Sequence, residues 1–494
     1  MTKPSWHSEL LSARGATRRG VFVRGMACIT LVGVALALHP LIAIVAGILA
    51  CLVMFRPSTA MLAFLLLAAI IPNANHTFFG QGSLSQNHMN VVYFSLLLSS
   101  AATTIFLLTR HRLKIGQASR LFFICAVIGA IFALATSNSA SLSFIGLIKF
   151  LLPIFTLSVW YDNIESKGTS AKEAPYVVAG MVSAVAILSM LFLVLGIGYE
   201  FDGKEFNGPL WDPQILGLLM ILLLPSMIHL HRIPLWLRVA ISIIALLLAW
   251  VAMSRTALAA FVILAVVEGA RLALLPSFDR WRLARRDRWQ MWPKLAFRLN
   301  IVALSGIALC SLWVASGIAK TEVGADASSE ILSMEGYAST RAITLDRSMN
   351  NFRANLLTGI GFAVPSDPRL LDAEFAAANF GELRHGGETL VDTDKGNSFV
   401  AVFEENGLLG GPIWLGLFFF FVAGIAVRSP AGFSVVMIVV ACAFGEATIF
   451  AATNVGLAQW VVLVAMAGVG AGRYNPVTAV SVSPSPQRNS SFIK

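Results

Sequence analysis

Apolar residues run along this chain in long unbroken stretches separated by short polar breaks. Fourteen such stretches can be marked, at 21–38, 40–55, 58–72, 90–109, 120–136, 142–160, 175–198, 214–230, 239–253, 256–274, 299–317, 398–425, 432–452 and 455–472. Each is continuously apolar rather than alternating, which excludes membrane-spanning strands and reads as helix. A run of roughly 17–25 apolar residues matches the hydrocarbon thickness of a bilayer, and a helix satisfies all its backbone polar groups within one segment. The pattern predicts an all-α, polytopic integral membrane protein with about 12–14 transmembrane helices. The first three stretches are short and meet at His39-Pro40 and Arg56-Pro57. They read as tight hairpins, or as fewer spans than three.

One segment breaks the pattern. Residues 318–397 are polar in a chain that is otherwise almost all apolar, and they open directly into the stretch at 398 through Lys395-Gly396-Asn397-Ser398. The organisation predicted is a basic tail (1–20), a helical bundle (21–317), one large loop (318–397), C-terminal spans (398–472) and a disordered tail rich in Ser and Pro (473–494). Within the loop, Ser339-Thr340-Arg341 reads as the start of a helix with Ser339 as its N-cap. Thr358-Gly359-Ile360-Gly361 reads as its end, the glycines permitting a sharp turn. Residues 365–394 read as a mobile cover. No internal repeat of the transporter kind is visible.

Charge then sets orientation. Of the 36 Lys and Arg, 26 fall in the N-terminal tail and every second break, nine fall on the other side, and Lys149 lies within a span. Positive residues mark the cytoplasmic side, so both termini are predicted to be cytoplasmic and 318–397 to face the opposite side. That loop carries 12 Asp and Glu against seven Lys and Arg. The net charge of +10 is therefore a membrane-orientation signal and not a nucleic-acid signature. The basic run 275–299 interleaves Trp with Arg, the pattern of an amphipathic segment in the headgroup layer or of a solvated linker. The five cysteines all lie in apolar runs and read as small hydrophobes, without disulfide or metal spacing.

A few charges call for a role. Arg255 sits in Met253-Ser254-Arg255-Thr256, a tight outer-face turn between two spans. It either snorkels to headgroups or forms part of an anion site, where a guanidinium suits bidentate contact with phosphate. Arg341 and Arg347, with Arg353, are loop arginines that either pair with nearby acids such as Asp346 or bind an anion. Asp212-Pro213-Gln214 heads the span at 214. Asp212 is either a helix cap or a ligand for a sugar hydroxyl. Glu404 and Glu405, at the outer mouth of the span at 398, read as a base, sugar ligands or interfacial charges. Lys149 and Glu446 are charges within spans, where charge is costly. No phosphate-binding Gly-rich loop, His/Cys metal cluster or Gly-x-Ser-x-Gly elbow is present.

In chain order these elements resemble the O-antigen ligase and O-antigen polymerase superfamily. The resemblance covers roughly 200–425. It rests on Asp212-Pro213-Gln214 as a DPN-like helix start, the Ser254-Arg255 turn, and Arg341 followed by Leu357-Thr358-Gly359-Ile360-Gly361. Gly396-Asn397-Ser398-Phe399 and Glu405-Asn406-Gly407-Leu408-Leu409-Gly410 complete it. The resemblance implies a metal-independent glycosyltransferase of the bacterial inner membrane, with no cofactor. Its donor would be an undecaprenyl-diphosphate-linked oligosaccharide taken at the periplasmic face, and its acceptor a glycan hydroxyl. Arg255 and Arg341 would engage the diphosphate, with Asp212, Gln214, Arg347, Asn397 and Glu404 as further substrate contacts. Other implied partners are the lipid bilayer, a flippase and a chain-length regulator, with no nucleic acid.

One departure matters. Ligases of the family carry a His where this chain has Gly396, preceded by Lys395, and the nearest His is His385. This favours a polymerase of exopolysaccharide, capsule or O-antigen repeat units over a ligase acting on lipid A-core. It leaves open whether Lys395, Glu405 or His385 activates the acceptor, or whether the enzyme needs no such base. The rival classes are a flippase or transporter of lipid-linked sugars, and a non-catalytic scaffold or sensor.

Overall fold

The computed structural model of the chain describes residues 6–74, 86–135, 137, 139–164, 169–199, 206–210, 212–252, 254, 256–269, 334–366, 397–445 and 454–469. These residues form helices, with two isolated β-bridges and no strand among them. In chain order they are α1 (Trp6–Leu38), α2 (Pro40–Met54), α3 (Pro57–Ile70), α4 (Gln86–Thr109), α5 (Gln117–Ala135), α6 (Ala140–Asp162) and α7 (Thr169–Val194). There follow α8 (Pro213–His229), α9 (Leu235–Val251), α10 (Thr256–Gly269), α11 (Met334–Ala354), α12 (Ser398–Arg428), α13 (Pro430–Gly445) and α14 (Asn454–Ala467).

Each apolar stretch that falls on described residues is a helix; the stretch at 299–317 lies outside them, as do the segment 275–299 and Glu446. Among the described residues five helices are long and apolar enough to cross a membrane: Arg18–Leu38, Val91–Thr109, Ala140–Asp162, Ala171–Val194 and Ser398–Arg428. Eight shorter apolar helices accompany them. Large apolar side chains also cover the outside, with Val53 81%, Trp236 71% and Val194 70% exposed. An exposed apolar shell of that kind suits lipid rather than water, and gives the chain the character of a membrane protein.

The short breaks are helix starts rather than loops. Pro40 and Pro57 occupy the first turn of their helices, where a missing N–H costs nothing, and the His39 ring accepts from Leu41 N at 3.1 Å. Two starts differ from the sequence pattern. Helix α1 begins at Trp6, well inside the expected basic tail, because Glu, Leu, Ala and Arg in 9–19 are good helix formers. Helix α11 begins at Met334, so Ser339 lies inside the helix and is not its cap.

Helices α3 and α14 form the centre. Residues Ser58–Ile70 of α3 are all buried, and α3 packs against α2, α4, α6, α7 and α14. Trp160 Nε1 donates to Ser58 O at 2.9 Å and Ser100 Oγ to Met61 O at 3.0 Å, tying α6 and α4 to it. Cys28, Cys51 and Cys442 are buried free thiols, as the apolar runs suggest.

Two polar nodes brace the bundle. Asp162 caps α5 from α6, accepting from Gly116 N (3.0 Å), Ala118 N (3.0 Å), Ser119 N (2.8 Å) and Ser119 Oγ. His229, at the end of α8, reaches Glu268 Oε1 of α10 at 3.0 Å and Ser434 Oγ of α13 at 3.2 Å, and Ser434 also bonds Glu268. The ends of α8 and α10 and the start of α13 therefore meet at one end of the bundle. The starts of α8 and α10 and the end of α13 lie at the other.

Candidate functional site

At that other end the starts of three helices converge. Asn397 caps α12: its Oδ1 accepts from Phe399 N at 2.9 Å and Val400 N at 3.1 Å. Its Nδ2 donates to Phe444 O near the end of α13 at 2.8 Å. The next residue along α13, Gly445, lies against Thr256, where an added Cβ would come within 2.4 Å of Thr256 Oγ1. Ser254 in turn lies against Gly217 of α8, where an added Cβ would come within 2.3 Å of Ser254 Cβ. Ser254 is buried, and its Oγ has no hydrogen-bond partner among the described residues. The start of α8 is fixed by Asp212, whose carboxylate accepts from Gln214 N at 2.6 Å. The Ala74–Leu210 bridge holds the segment that leads into it.

Helix α12 is not continuous. Gly407 has φ 59° and ψ −164°, which breaks the helix inside its apolar run. An unbroken helix would bond Leu408 N to Glu404 O and Leu409 N to Glu405 O. Here all four groups change partner. Ile360 N donates to Glu404 O and Gly361 N to Glu405 O, both at 2.9 Å. Leu408 N donates to Leu356 O at 2.9 Å and Leu409 N to Leu357 O at 3.1 Å. The segment 356–361 thus fills the break and satisfies the backbone groups it frees, as a non-helical backbone inside a bundle must. The two backbones touch, so a Cβ on Gly359 would lie 2.3 Å from Glu405 C, and one on Gly407 would lie 2.3 Å from Leu357 C and O.

Side chains lock the same joint. Glu404 is fully buried, and its Oε1 accepts from Asn351 Nδ2 of α11 at 2.7 Å. Asn351 Nδ2 also donates to Ser366 O at 2.8 Å. Leu345 and Met349 of α11 pack on Val400, and Phe352 packs on Phe403 with ring centres 5.8 Å apart. Below the break, Trp414 Nε1 donates to Asn406 Oδ1 at 3.1 Å, and Trp414, Phe150 and Phe362 form an aromatic triangle at 5.4–5.6 Å.

The sequence-predicted residues fall as follows. Asp212, Gln214 and Asn397 stand at the convergent helix starts, and Asp212 and Asn397 both act as caps. Glu404 and Glu405 are buried under α11 rather than standing at an open mouth, because α11 and 356–361 cover that turn of α12. Arg347 is half-buried on α11. Arg341 lies on the same helix, four and seven residues before Leu345 and Ser348, so its position shares their face by helical register. Arg255, His385 and Lys395 lie outside the described residues. Both neighbours of Arg255, Ser254 and Thr256, are placed and buried between α8 and α13. Lys149 places its Nζ 5.9 Å from the centre of the Phe94 ring, a cation–π contact within the bundle.

Sequence reasoning missed Asn351, the break at Gly407 and the His229–Glu268–Ser434 node. Only the break has a local signal, a Gly-rich stretch (Gly407, Gly410, Gly411) inside an apolar run. Comparison with protein-family models, curated proteins and solved structures finds no match to this chain.

Proposed function

We propose that the chain is a membrane glycosyltransferase that polymerises glycan repeat units carried on undecaprenyl diphosphate. It works at the periplasmic face of a bacterial inner membrane, with both termini cytoplasmic, in the synthesis of exopolysaccharide, capsule or O-antigen. One observation carries the reading. The starts of α8 and α12 and the residues Ser254 and Thr256, far apart in sequence, gather at one end of the bundle, and the arginine-bearing helix α11 is fastened onto α12 beside them. These are the elements on which the family resemblance rests, and a lipid-borne diphosphate would lie at such an end.

In this reading Arg255 and Arg341 bind the donor diphosphate. As the bond between the sugar's anomeric carbon and the diphosphate oxygen breaks, that oxygen leaves with the electron pair, and the guanidiniums stabilise the growing charge. The acceptor hydroxyl oxygen bonds to the anomeric carbon and gives up its proton. Glu405, Lys395 and His385 are the candidates to take it. Gly396 at the position of the family's His supports polymerase over ligase. The test is turnover of a lipid-diphosphate-linked oligosaccharide by purified protein in nanodiscs. Longer lipid-linked glycan supports the polymerase. Transfer to added lipid A-core supports the ligase, and translocation without new glycosidic bonds supports a flippase.

A further inference from the structure

We infer that Glu404 is a positioning residue that seats the arginine helix, and not a group that touches substrate; this rests on the reading of the site as a diphosphate-binding glycosyltransferase. The carboxylate is completely enclosed, so no sugar can reach it while α11 is in place. One oxygen takes Asn351 Nδ2 at 2.7 Å, and the other, Oε2, has no hydrogen-bond partner among the described residues. Enclosing a carboxylate with one oxygen unserved is costly, and a hydrogen bond from an amide to a charged acceptor is among the stronger ones available to offset it.

Glu404 acts on two parts of the loop. Its side chain holds α11 through Asn351, and its backbone carbonyl accepts from Ile360 N at 2.9 Å, holding the segment that follows α11. Asn351 spends its two amide hydrogens on Glu404 and Ser366 O, and its backbone carbonyl accepts from Asn355 Nδ2 at 3.1 Å. The position of Arg341 is thereby set from Glu404: ten residues separate Arg341 from Asn351 on one helix, about 15 Å at 1.5 Å per residue. A shift of α11 by a fraction of a turn would displace the arginine from the diphosphate that, in the proposed reading, Arg255 binds independently.

The test compares Glu404→Gln, Glu404→Leu, Asn351→Leu and the double variant Glu404→Leu/Asn351→Leu in nanodiscs. Amide hydrogen exchange of 344–361 is read alongside kcat and KM for the lipid-diphosphate donor. Gln keeps an oxygen for Asn351 and removes the charge. The expected result is wild-type exchange and kcat in Glu404→Gln. In each Leu variant exchange rises about tenfold or more and donor KM rises, and the double variant rises no further than Asn351→Leu, which alone removes both the Glu404 and the Ser366 O bonds. Loss of kcat in Glu404→Gln with wild-type exchange overturns the inference, since the charge would then act in the chemistry. Unchanged exchange in both single Leu variants overturns it as well. A wild-type protein that consumes no lipid-diphosphate donor refutes the functional reading instead, and the exchange arm then still decides whether Glu404 seats α11.

Discussion

Replacing Gly407 with Ala tests the broken helix at its weakest point. At φ 59° and ψ −164° the residue occupies a region that is essentially reserved for glycine, and a side chain there costs on the order of 1–3 kcal/mol. The added Cβ would also stand 2.3 Å from Leu357 C and O and 2.5 Å from Thr358 N. All three are backbone atoms, so no rotamer change relieves the clash and 356–361 must withdraw. Withdrawal weakens the bonds from Leu408 N and Leu409 N to Leu356 O and Leu357 O, each contributing about 1 kcal/mol. The sum is about 3–5 kcal/mol, or roughly two to four orders of magnitude in the equilibrium between seated and unseated segment. Amide hydrogen exchange of peptides covering 355–361 reads that equilibrium directly. Gly416→Ala on the same helix is the control, because nothing lies within 4 Å of its added Cβ. It should be neutral or stabilising by up to about 1 kcal/mol. Exchange in Gly407→Ala within about threefold of wild type would refute the interlocked joint.

Three further outcomes follow from the bundle. Asp162→Ala removes the acceptor of three amides and a hydroxyl at the start of α5, and should lower stability by about 2 kcal/mol, with Asp162→Asn intermediate; thermal denaturation in detergent checks it, and an unchanged midpoint for Ala contradicts it. Glu268→Leu leaves the buried His229 with Ser434 Oγ as its one remaining described partner and should denature at lower temperature than the double variant His229→Leu/Glu268→Leu, where Ser434 Oγ still donates to Pro430 O at 2.9 Å. The reverse order of midpoints would show that the His229–Glu268 contact is not what sets the cost. Asn397→Ala should lose about 1–2 kcal/mol by uncapping α12 and releasing Phe444 O, read by the same melt and contradicted by a wild-type midpoint.

The helices other than α11 were legible because each carries a continuous apolar run, and such a run in an apolar environment satisfies its own backbone polar groups as a helix. Asp212 was legible as a helix start, since a short polar side chain before such a run finds free amides within two or three residues; Asn397, read from sequence as a substrate contact, caps α12 by the same chemistry. The break in α12 was marked only by its glycines, because its backbone partners come from 356–361, and local apolarity says nothing of residues 44 to 52 positions away. Glu404 had the look of an interfacial charge for the same reason: what covers it is Asn351, 53 residues earlier. The start of α11 was placed too late because Ser339 resembles a cap while Met334–Ala338 offers no breaker stronger than Gly336. Position 255 was marked by its charge alone. The packing of Ser254 on Gly217 and Thr256 on Gly445 needs the folded bundle to be seen.

We propose that two arginines, Arg255 and Arg341 of α11, hold a lipid-linked diphosphate while its glycan is transferred. The most direct measurement is glycan chain length after purified wild type, Arg255→Ala and Arg341→Ala proteins in nanodiscs are given an undecaprenyl-diphosphate-linked oligosaccharide. The account predicts longer lipid-linked glycan with wild type. It predicts a loss of at least a hundredfold in each variant at equal folded-protein level, on the order expected when a group stabilising transition-state charge is removed. Polymer of unchanged length and yield in both variants would contradict it.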